Sequence, residues 1–233
     1  MVVKWDDGEM TLYHGTTDTN LKDIFTAETQ LAKPGSIWKH AKRIAPSNSG
    51  GLYVLWDDGE LTVYDVVDAK GFTHEYQISK PNDLWRDHAS HIASIRDHLV
   101  VVWNDGEVSL YEKPRINKLS KERQLVKPNA TWKNVQGLTS GDFTGRGVFA
   151  EDLLVRWVDG EVSVYSDVAT NGLGAEKQVL KPNDLWTHAT VVSGRGSLNT
   201  GLIVRWVDGE VTHYPFVAVD GSGAGYEYQL VAP

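Results

Sequence analysis

Tryptophan, carboxylate and amide side chains recur along this sequence at nearly constant spacing. The motif Trp-x-Asp-Gly-Glu occurs five times, beginning at Trp5, Trp56, Trp103, Trp157 and Trp206. The motif Lys-Pro-x-x-x-Trp occurs four times, ending at Trp38, Trp85, Trp132 and Trp186. Indole faces stack on the apolar faces of sugar rings, and polar groups at a rim supply the directed hydrogen bonds of a shallow site. The repeated combination therefore favours several equivalent carbohydrate-binding sites.

We expect each site to combine one Trp-x-Asp-Gly-Glu turn with the Lys-Pro-x-x-x-Trp segment that follows it. The candidate carbohydrate-binding residues are Trp56, Asp58, Glu60, Asn82 and Trp85; Trp103, Asp105, Asn129 and Trp132; Trp157, Asp159, Asn183 and Trp186; and Trp38, His40, His88 and His188. Every one of these residue types also has a structural interpretation. Tryptophan dominates core packing, Asp-Gly suits a tight turn, and histidine often forms buried hydrogen bonds. The carbohydrate interpretation depends on the combination.

The elements that position these residues are predicted to be short β-strands. In residues 152–165 two runs rich in β-branched and aromatic residues flank an Asp-Gly, which is a strong hairpin signal. With a loop of about three residues, Trp157 pairs with Glu161 and Leu153 with Tyr165. A third strand is expected around a repeated Glu-x-Gln, and a fourth around the second Trp. Four short strands per repeat predict an all-β, five-bladed β-propeller of four-stranded antiparallel blades.

The repeats divide the chain, 1–233, into one propeller domain with units of approximately 1–35, 36–82, 83–129, 130–183 and 184–233. The Lys-Pro-x-x-x-Trp element occurs only four times, so the first blade should lack one strand and the total should be nineteen. The unpaired edge that results invites pairing. We expect either a three-stranded first blade, or a strand supplied by a longer parent chain or by another protomer in a homo-oligomer.

Strand direction predicts which loops lie together. Because antiparallel neighbours reverse direction at every connection, the Asp-Gly turns and the Lys-Pro segments should share one face of the propeller. The loops that vary in length should share the other face. A surface repeated four or five times is suited to presenting the same site four or five times.

The segments GDFTGRGVFAEDLLVRW (141–157) and WVDGEVSVY (157–165) resemble the FG-GAP or VCBS type of propeller repeat, in the version attached to secreted actinobacterial enzymes and lectin-like proteins. The resemblance covers essentially the whole chain. It implies a propeller, an extracellular setting and a binding role, commonly towards carbohydrate or cell-surface material. The family's loop often carries a calcium motif, Asp-x-Asp-x-Asp-Gly, where this chain offers only Asp142. Since calcium takes about six to eight oxygen ligands, we expect no metal site, and no cofactor.

Composition limits the classes of partner. The net charge is −8, and no Lys/Arg cluster is long enough to follow a phosphate backbone, so nucleic acid is not an expected partner. No apolar run approaches the ~20 residues of a membrane span, so membrane insertion is not expected either. The N-terminal sequence has no pattern of a secretion signal, and zero cysteines exclude disulfides.

Two other functions compete with carbohydrate binding. A protein-interaction scaffold of the WD40 kind would use the variable loops. A glycoside hydrolase would need a unique pair of carboxylates. Here the acidic residues are nearly the same in every repeat, so we expect no enzyme.

Overall fold

The chain forms five antiparallel β-sheets. The computed structural model describes residues 1–16, 24–47, 50–114, 118–119, 121–145, 152–169, 172–194, 201–217, 219 and 223–233. Within these residues, nineteen strands form one three-stranded sheet and four four-stranded sheets. The protein is a five-bladed β-propeller whose first blade has three strands. The prediction of fold class and of strand number is therefore confirmed.

The strands follow the chain in the same order in every blade. Blade 1 contains β1 (Val2–Lys4), β2 (Met10–Gly15) and β3 (Phe25–Ala32). Blade 2 contains β4 (Ala41–Pro46), β5 (Leu52–Trp56), β6 (Leu61–Asp68) and β7 (Gly71–Ser79). Blade 3 contains β8 (Ala89–Ile95), β9 (His98–Trp103), β10 (Val108–Tyr111) and β11 (Glu122–Val126). Blade 4 contains β12 (Val135–Gly141), β13 (Asp152–Trp157), β14 (Val162–Tyr165) and β15 (Glu176–Leu180). Blade 5 contains β16 (Ala189–Gly194), β17 (Leu202–Trp206), β18 (Val211–Tyr214) and β19 (Tyr228–Val231).

The hairpin of each blade has the predicted register. In blade 4, Leu153 lies opposite Tyr165, and the Trp157 amide donates to the Glu161 carbonyl over 2.8 Å. Three residues close the turn, and Gly160 has a φ of 81°. This left-handed conformation favours glycine because it has no Cβ.

The four segments that join one blade to the next, 33–40, 80–88, 127–134 and 181–188, are called crossovers below. Each contains a short helical turn that the sequence prediction assigned to a strand. These turns are α1 (Asp83–His88), α2 (Asp184–Thr187) and two 3₁₀ turns, Ile37–His40 and Trp132–Asn134. In α1 and α2, Asn82 and Asn183 are the N-caps, and their side chains accept the Trp amide of the first turn. No helix in the described part of the chain is long and apolar enough to cross a membrane.

The boundary between two neighbouring blades of the propeller is called a seam below, and buried apolar side chains of the described residues fill four of these seams. One face of blade 4, with Leu153, Val155 and Trp157, packs against blade 3. The opposite face, with Leu154 and Val164, packs against blade 5. The four buried clusters of the described residues join blades 1 and 2, 2 and 3, 3 and 4, and 4 and 5. The core is therefore a series of seams that the crossovers help to build.

Candidate functional site

The tryptophans of the predicted sites are buried. Of the nine in the chain, all but Trp5 expose 7% or less of their surface. Each crossover indole packs against the hairpin indole of the following blade, with ring centroids 5.2 to 5.6 Å apart. The structure therefore leaves no open indole face for a sugar on these residues. The expected stacking role is corrected to a core role for Trp38, Trp56, Trp85, Trp103, Trp132, Trp157 and Trp186.

The grouping of tryptophans is also shifted by one blade from the predicted one. Trp157 contacts Trp132 from the preceding crossover, whereas the prediction grouped it with Trp186. Trp186 instead contacts Trp206 in blade 5. The physical reason is that a crossover begins beside the turn of one blade and ends under the turn of the next.

The polar residues of the turns do lie beside the crossovers that follow them, as predicted. The Asn183 amide donates to the Asp159 carbonyl over 3.0 Å, and the Asn183 Nδ2 donates to the Gly160 carbonyl over 3.3 Å. The turns and the crossovers therefore share one face, which is called the turn face below.

The aspartates and asparagines of the predicted sites have structural roles. Asp58, Asp105 and Asp159 accept the amide of the glutamate two residues later, at 2.9 to 3.1 Å. Asn82, Asn129 and Asn183 accept the amide of the crossover Trp, at 3.0 to 3.1 Å. These bonds use part of the hydrogen-bonding capacity of each side chain. They also hold the Asp and Asn side chains in the same geometry in successive blades.

The histidines of the crossovers, which were predicted to bind carbohydrate, are exposed, so the alternative of a buried structural role does not apply to them. The exposed residues are His40, His88 and His188. Their backbone carbonyls accept amides from the next turn, at 2.8 to 3.0 Å. These hydrogen bonds fix the histidine backbone beside the next turn, and the imidazole rings remain exposed to solvent. His40 Nδ1 lies 2.7 Å from the exposed Asp57 carboxylate.

A cleft of about 200 Å³ opens between the turn of blade 4 and the preceding crossover. It is lined by Thr131, Asn134, Trp157, Val158, Asp159, Glu161, Tyr165 and Glu176. Drug-sized ligands occupy sites of about 300–1,000 Å³, so this cleft suits a single small unit of a larger ligand. Within it, Glu161 accepts hydrogen bonds from Gln178 Nε2 at 2.7 Å and from Ser163 Oγ at 3.0 Å.

A tyrosine and a second glutamate complete the polar wall of the cleft. Burial, and then the neighbouring Glu176 carboxylate, raise the pKa of Tyr165 well above its usual range. The phenol therefore stays protonated and donates to that carboxylate. The same arrangement occurs in blade 5, where the Tyr214 hydroxyl donates to Glu227 over 2.8 Å. Sequence reasoning noticed the repeated Tyr and Glu-x-Gln but did not assign them to the site.

The corresponding pairs lie in the other blades that follow a crossover. Burial, and then the paired glutamate, raise the pKa of Tyr64 beside Glu75 and of Tyr111 beside Glu122. A second glutamate approaches from the turn in each case, Glu60 or Glu107, and each accepts the Nε2 of a glutamine. Blades 2, 3, 4 and 5 thus carry the same pair of carboxylates beside a buried phenol.

Aliphatic side chains are exposed on the turn face, and sequence reasoning missed them. Ile37, Leu84 and Leu185 each precede a crossover tryptophan, and all three are exposed. Val158 and Val207 are exposed in the turns of blades 4 and 5. The sequence signal was the Ile or Leu before Trp in three of the four crossovers.

The described residues contain no cluster of three or more groups arranged to hold a metal ion. Asp142, the acidic residue of the calcium-type loop, is buried, and so is Asp152. Asp152 accepts hydrogen bonds from the Thr144 amide and hydroxyl, both at 2.7 Å. Residues 146–151 of this loop lie outside the described residues.

Comparison with known proteins gives a likeness in fold alone. No protein-family model matches the chain, and no curated protein sequence matches it. Among solved structures it is similar to the WD40 repeats of RRP9, at 12% identity over 82% of this chain, with a TM-score of 0.46. The chain spans half the length of that RRP9 chain. It is also similar to the computationally designed Ika4 protein, at 14% identity over 76% of this chain and 91% of that chain, with a TM-score of 0.37. The assignment of five blades rests on the sheets of the chain itself.

Proposed function

We propose that this propeller is a non-enzymatic, multivalent carbohydrate-binding protein. The proposed sites lie on the turn face, one beside each of the four crossovers. The observation that carries the proposal is the blade 4 cleft, whose carboxylates and phenol recur in blades 2, 3 and 5. Repetition of one polar cleft is expected of a binder that engages a repeated ligand, whereas catalysis requires one distinct group of residues.

The chemistry of the cleft favours a ligand rich in hydrogen-bond donors. An ionised carboxylate accepts up to about four hydrogen bonds and donates none. Glu161 uses two of these positions within the protein. Sugar hydroxyls can donate to the remaining positions, and the exposed Glu176 offers further ones. The acidic wall and the net charge of −8 favour a neutral or amino sugar over a sulfated or phosphorylated one.

A glycan array probed with the intact chain tests the proposal, and titration with the best glycan then counts the sites. We expect four weak, equivalent sites, whose combined avidity on a dense glycan surface exceeds the single-site affinity by about 10² to 10⁴. The double variant Glu161→Gln and Glu176→Gln should remove one site of the four. The double variant Asp83→Asn and Asp184→Asn, which removes two charges from exposed residues of α1 and α2, is the matched control.

The control should keep all four sites if the cleft, and not the overall charge, binds the sugar. Failure to bind any glycan at millimolar concentration would contradict the proposal. So would a single site per chain that the double variant leaves intact.

The exposed aliphatic residues favour a second candidate function, a scaffold that binds a protein partner through the turn face. Leu84 and Leu185 lie on separate crossovers, and an apolar rim of this kind suits a protein interface. The variants Leu84→Asp and Leu185→Asp discriminate between the two functions. They should abolish capture of a protein partner and leave glycan binding unchanged if the clefts bind sugar.

A further inference from the structure

The hairpin tryptophan of blade 1 differs from its four counterparts. Trp5 is 42% exposed, whereas Trp56, Trp103, Trp157 and Trp206 are 6% to 7% exposed. Each of the four is covered by a crossover indole, and no ring contact of this kind covers Trp5 among the described residues. Trp5 nevertheless keeps the repeat's geometry, because its Nε1 donates to Thr11 over 3.0 Å as Trp206 donates to Thr212 over 2.8 Å. The indole is held in place with one face open.

Blade 5, which precedes blade 1 around the propeller, is open at the matching position. At Gly160 an added Cβ would overlap the Asn183 carbonyl oxygen of the crossover, but at Gly209 it would meet nothing within 4 Å. Arg156 is buried, and its Nη1 donates to the Trp186 carbonyl over 3.2 Å. Its counterpart Arg205 is exposed. Blade 5 therefore has an uncovered turn and a guanidinium available for a backbone carbonyl.

The inner edge of β1 completes this open surface. Strand β1 lies at the edge of its sheet, whereas β5, β9, β13 and β17 each pair with an inner strand. The register of those inner strands is constant. Ala41, Ala89, Val135 and Ala189 lie opposite a hairpin Trp, and each is followed by a one-residue bulge. A strand added along β1 therefore has a defined register, with a small or aliphatic residue opposite Trp5.

We propose that the seam between blades 5 and 1 binds a peptide strand of a partner chain. The residues of this peptide match those of this chain's own crossovers and inner strands. In the bound peptide, an Asn begins a helical turn, and the indole of a Trp three residues later covers Trp5. The following residues pair antiparallel with Val2–Lys4, and Arg205 donates to the carbonyl of the peptide's Trp. Strand addition supplies main-chain hydrogen bonds, and a buried aromatic anchor supplies most of the affinity. The proposal is independent of the carbohydrate sites.

Lys4 adds selectivity to this seam. In the existing seams the residue after the bulge faces the position that corresponds to Lys4, and Val191 faces Arg205 there. In blade 2 this residue is Arg43, which faces Leu55. Opposite Lys4 an arginine would place two like charges together, which is destabilising. The segment 181–194 therefore fits β1 better than the segment 33–46.

A fluorescently labelled synthetic peptide of residues 181–194, titrated into the intact chain and followed by anisotropy, tests the proposal. We expect saturable one-to-one binding, weakened at least about tenfold by Trp186→Ala in the peptide. Trp5→Ala and Arg205→Ala in the protein should weaken it as well, while Tyr226→Ala, at another exposed aromatic residue, should not. Circular dichroism and thermal melting check that each variant is folded. The peptide of residues 33–46 should bind more weakly than that of residues 181–194.

Equal binding by the Trp186→Ala peptide, or by the folded Trp5→Ala protein, would overturn the proposal. So would the absence of binding at millimolar peptide. A dimer of the chain that Trp5→Ala dissociates and that the peptide does not displace would make a second copy the occupant, and would also overturn it.

Discussion

The seam between blades 4 and 5 and the seam between blades 5 and 1 are built from the same hairpin, but only the first has a crossover. In the first seam, Trp206 is covered by Trp186. In the second, Trp5 is exposed, yet its amide still donates to the Glu9 carbonyl over 2.9 Å, as Trp206 does to Glu210 over 2.8 Å. The hairpin is therefore specified by its own few residues, whereas burial of its tryptophan depends on the crossover.

The two seams should differ most in the stability that is lost when a tryptophan is removed from each. Trp186→Ala deletes a buried indole that contacts Trp206 and Tyr214, and should lower the free energy of unfolding by about 3–5 kcal/mol. Trp5→Ala deletes a half-exposed ring, and should cost less than about 2 kcal/mol. Guanidinium denaturation of the two variants beside the wild type measures both. Equal losses would mean that Trp5 is buried as deeply as Trp186.

The turn glycines provide a second matched pair. Gly160→Ala introduces a Cβ against the Asn183 carbonyl in addition to strain at positive φ, and should cost about 2–4 kcal/mol. Gly209→Ala introduces only the backbone strain at positive φ, because nothing lies within 4 Å of the added Cβ, and it should cost about 1–2 kcal/mol. Thermal melting of the two variants shows the difference. A cost at Gly209 equal to that at Gly160 would indicate that something covers the blade 5 turn.

These contrasts show how far the sequence could predict the structure. The register of Trp157 with Glu161 follows from an Asp-Gly turn and from strand alternation, both of which are local. The helical turn at Trp186 was missed because a strand was predicted around this Trp, although Asn183, three residues earlier, is a strong N-cap.

The candidate site was harder to predict than the fold. Which aromatic ring is buried depends on which blade a crossover reaches, and this is a property of the assembled ring of blades. The same repeated pattern of Trp, Asn and His is compatible with rings at the surface or in the seams. The cleft at Glu161 and Tyr165 combines residues from two connections of the chain, so spacing alone could not identify it.

The two arginines should differ in their contribution to stability. Arg156→Ala removes a buried guanidinium that donates to the Trp186 carbonyl, and to the Gln136 carbonyl over 3.3 Å. Its loss should cost about 1–3 kcal/mol, because the carbonyls lose a charged donor. Arg205→Ala should change stability by no more than about 0.5 kcal/mol. Urea denaturation measures both, and a large loss at Arg205 would show that its guanidinium has a structural partner.

A smaller effect on stability, which depends on pH, is expected from His91 in the inner strand β8. Burial, and then the nearby Arg43, lower the pKa of His91 from its ordinary 6.5 to about 4. The unfolded chain then takes up a proton at higher pH than the folded chain does. The stability that neutral His91 contributes is therefore fully present above about pH 6.5, and this contribution is lost as the pH falls towards 4. His91→Gln should reduce the loss between pH 7 and pH 5 by about 1–2 kcal/mol.

Urea denaturation of the wild type and His91→Gln at both pH values isolates this contribution, since the other titrating groups are common to both proteins. An identical pH dependence would mean that the folded chain does not lower the pKa of His91. Val191 occupies the corresponding position in blade 5 and is exposed, so Val191→Gln should leave the pH dependence unchanged.

Hydroxyl-radical footprinting with mass spectrometry tests the central claim directly, because it reports the solvent accessibility of each tryptophan in the folded chain. The structure predicts that Trp5 is oxidised much faster than the other eight, which expose 2% to 7% of their surface. Addition of the peptide of residues 181–194 should then slow the oxidation of Trp5 alone. Oxidation of Trp5 at the rate of Trp206 in the free chain would contradict an open seam, and rapid oxidation of the crossover tryptophans would contradict their place in the core.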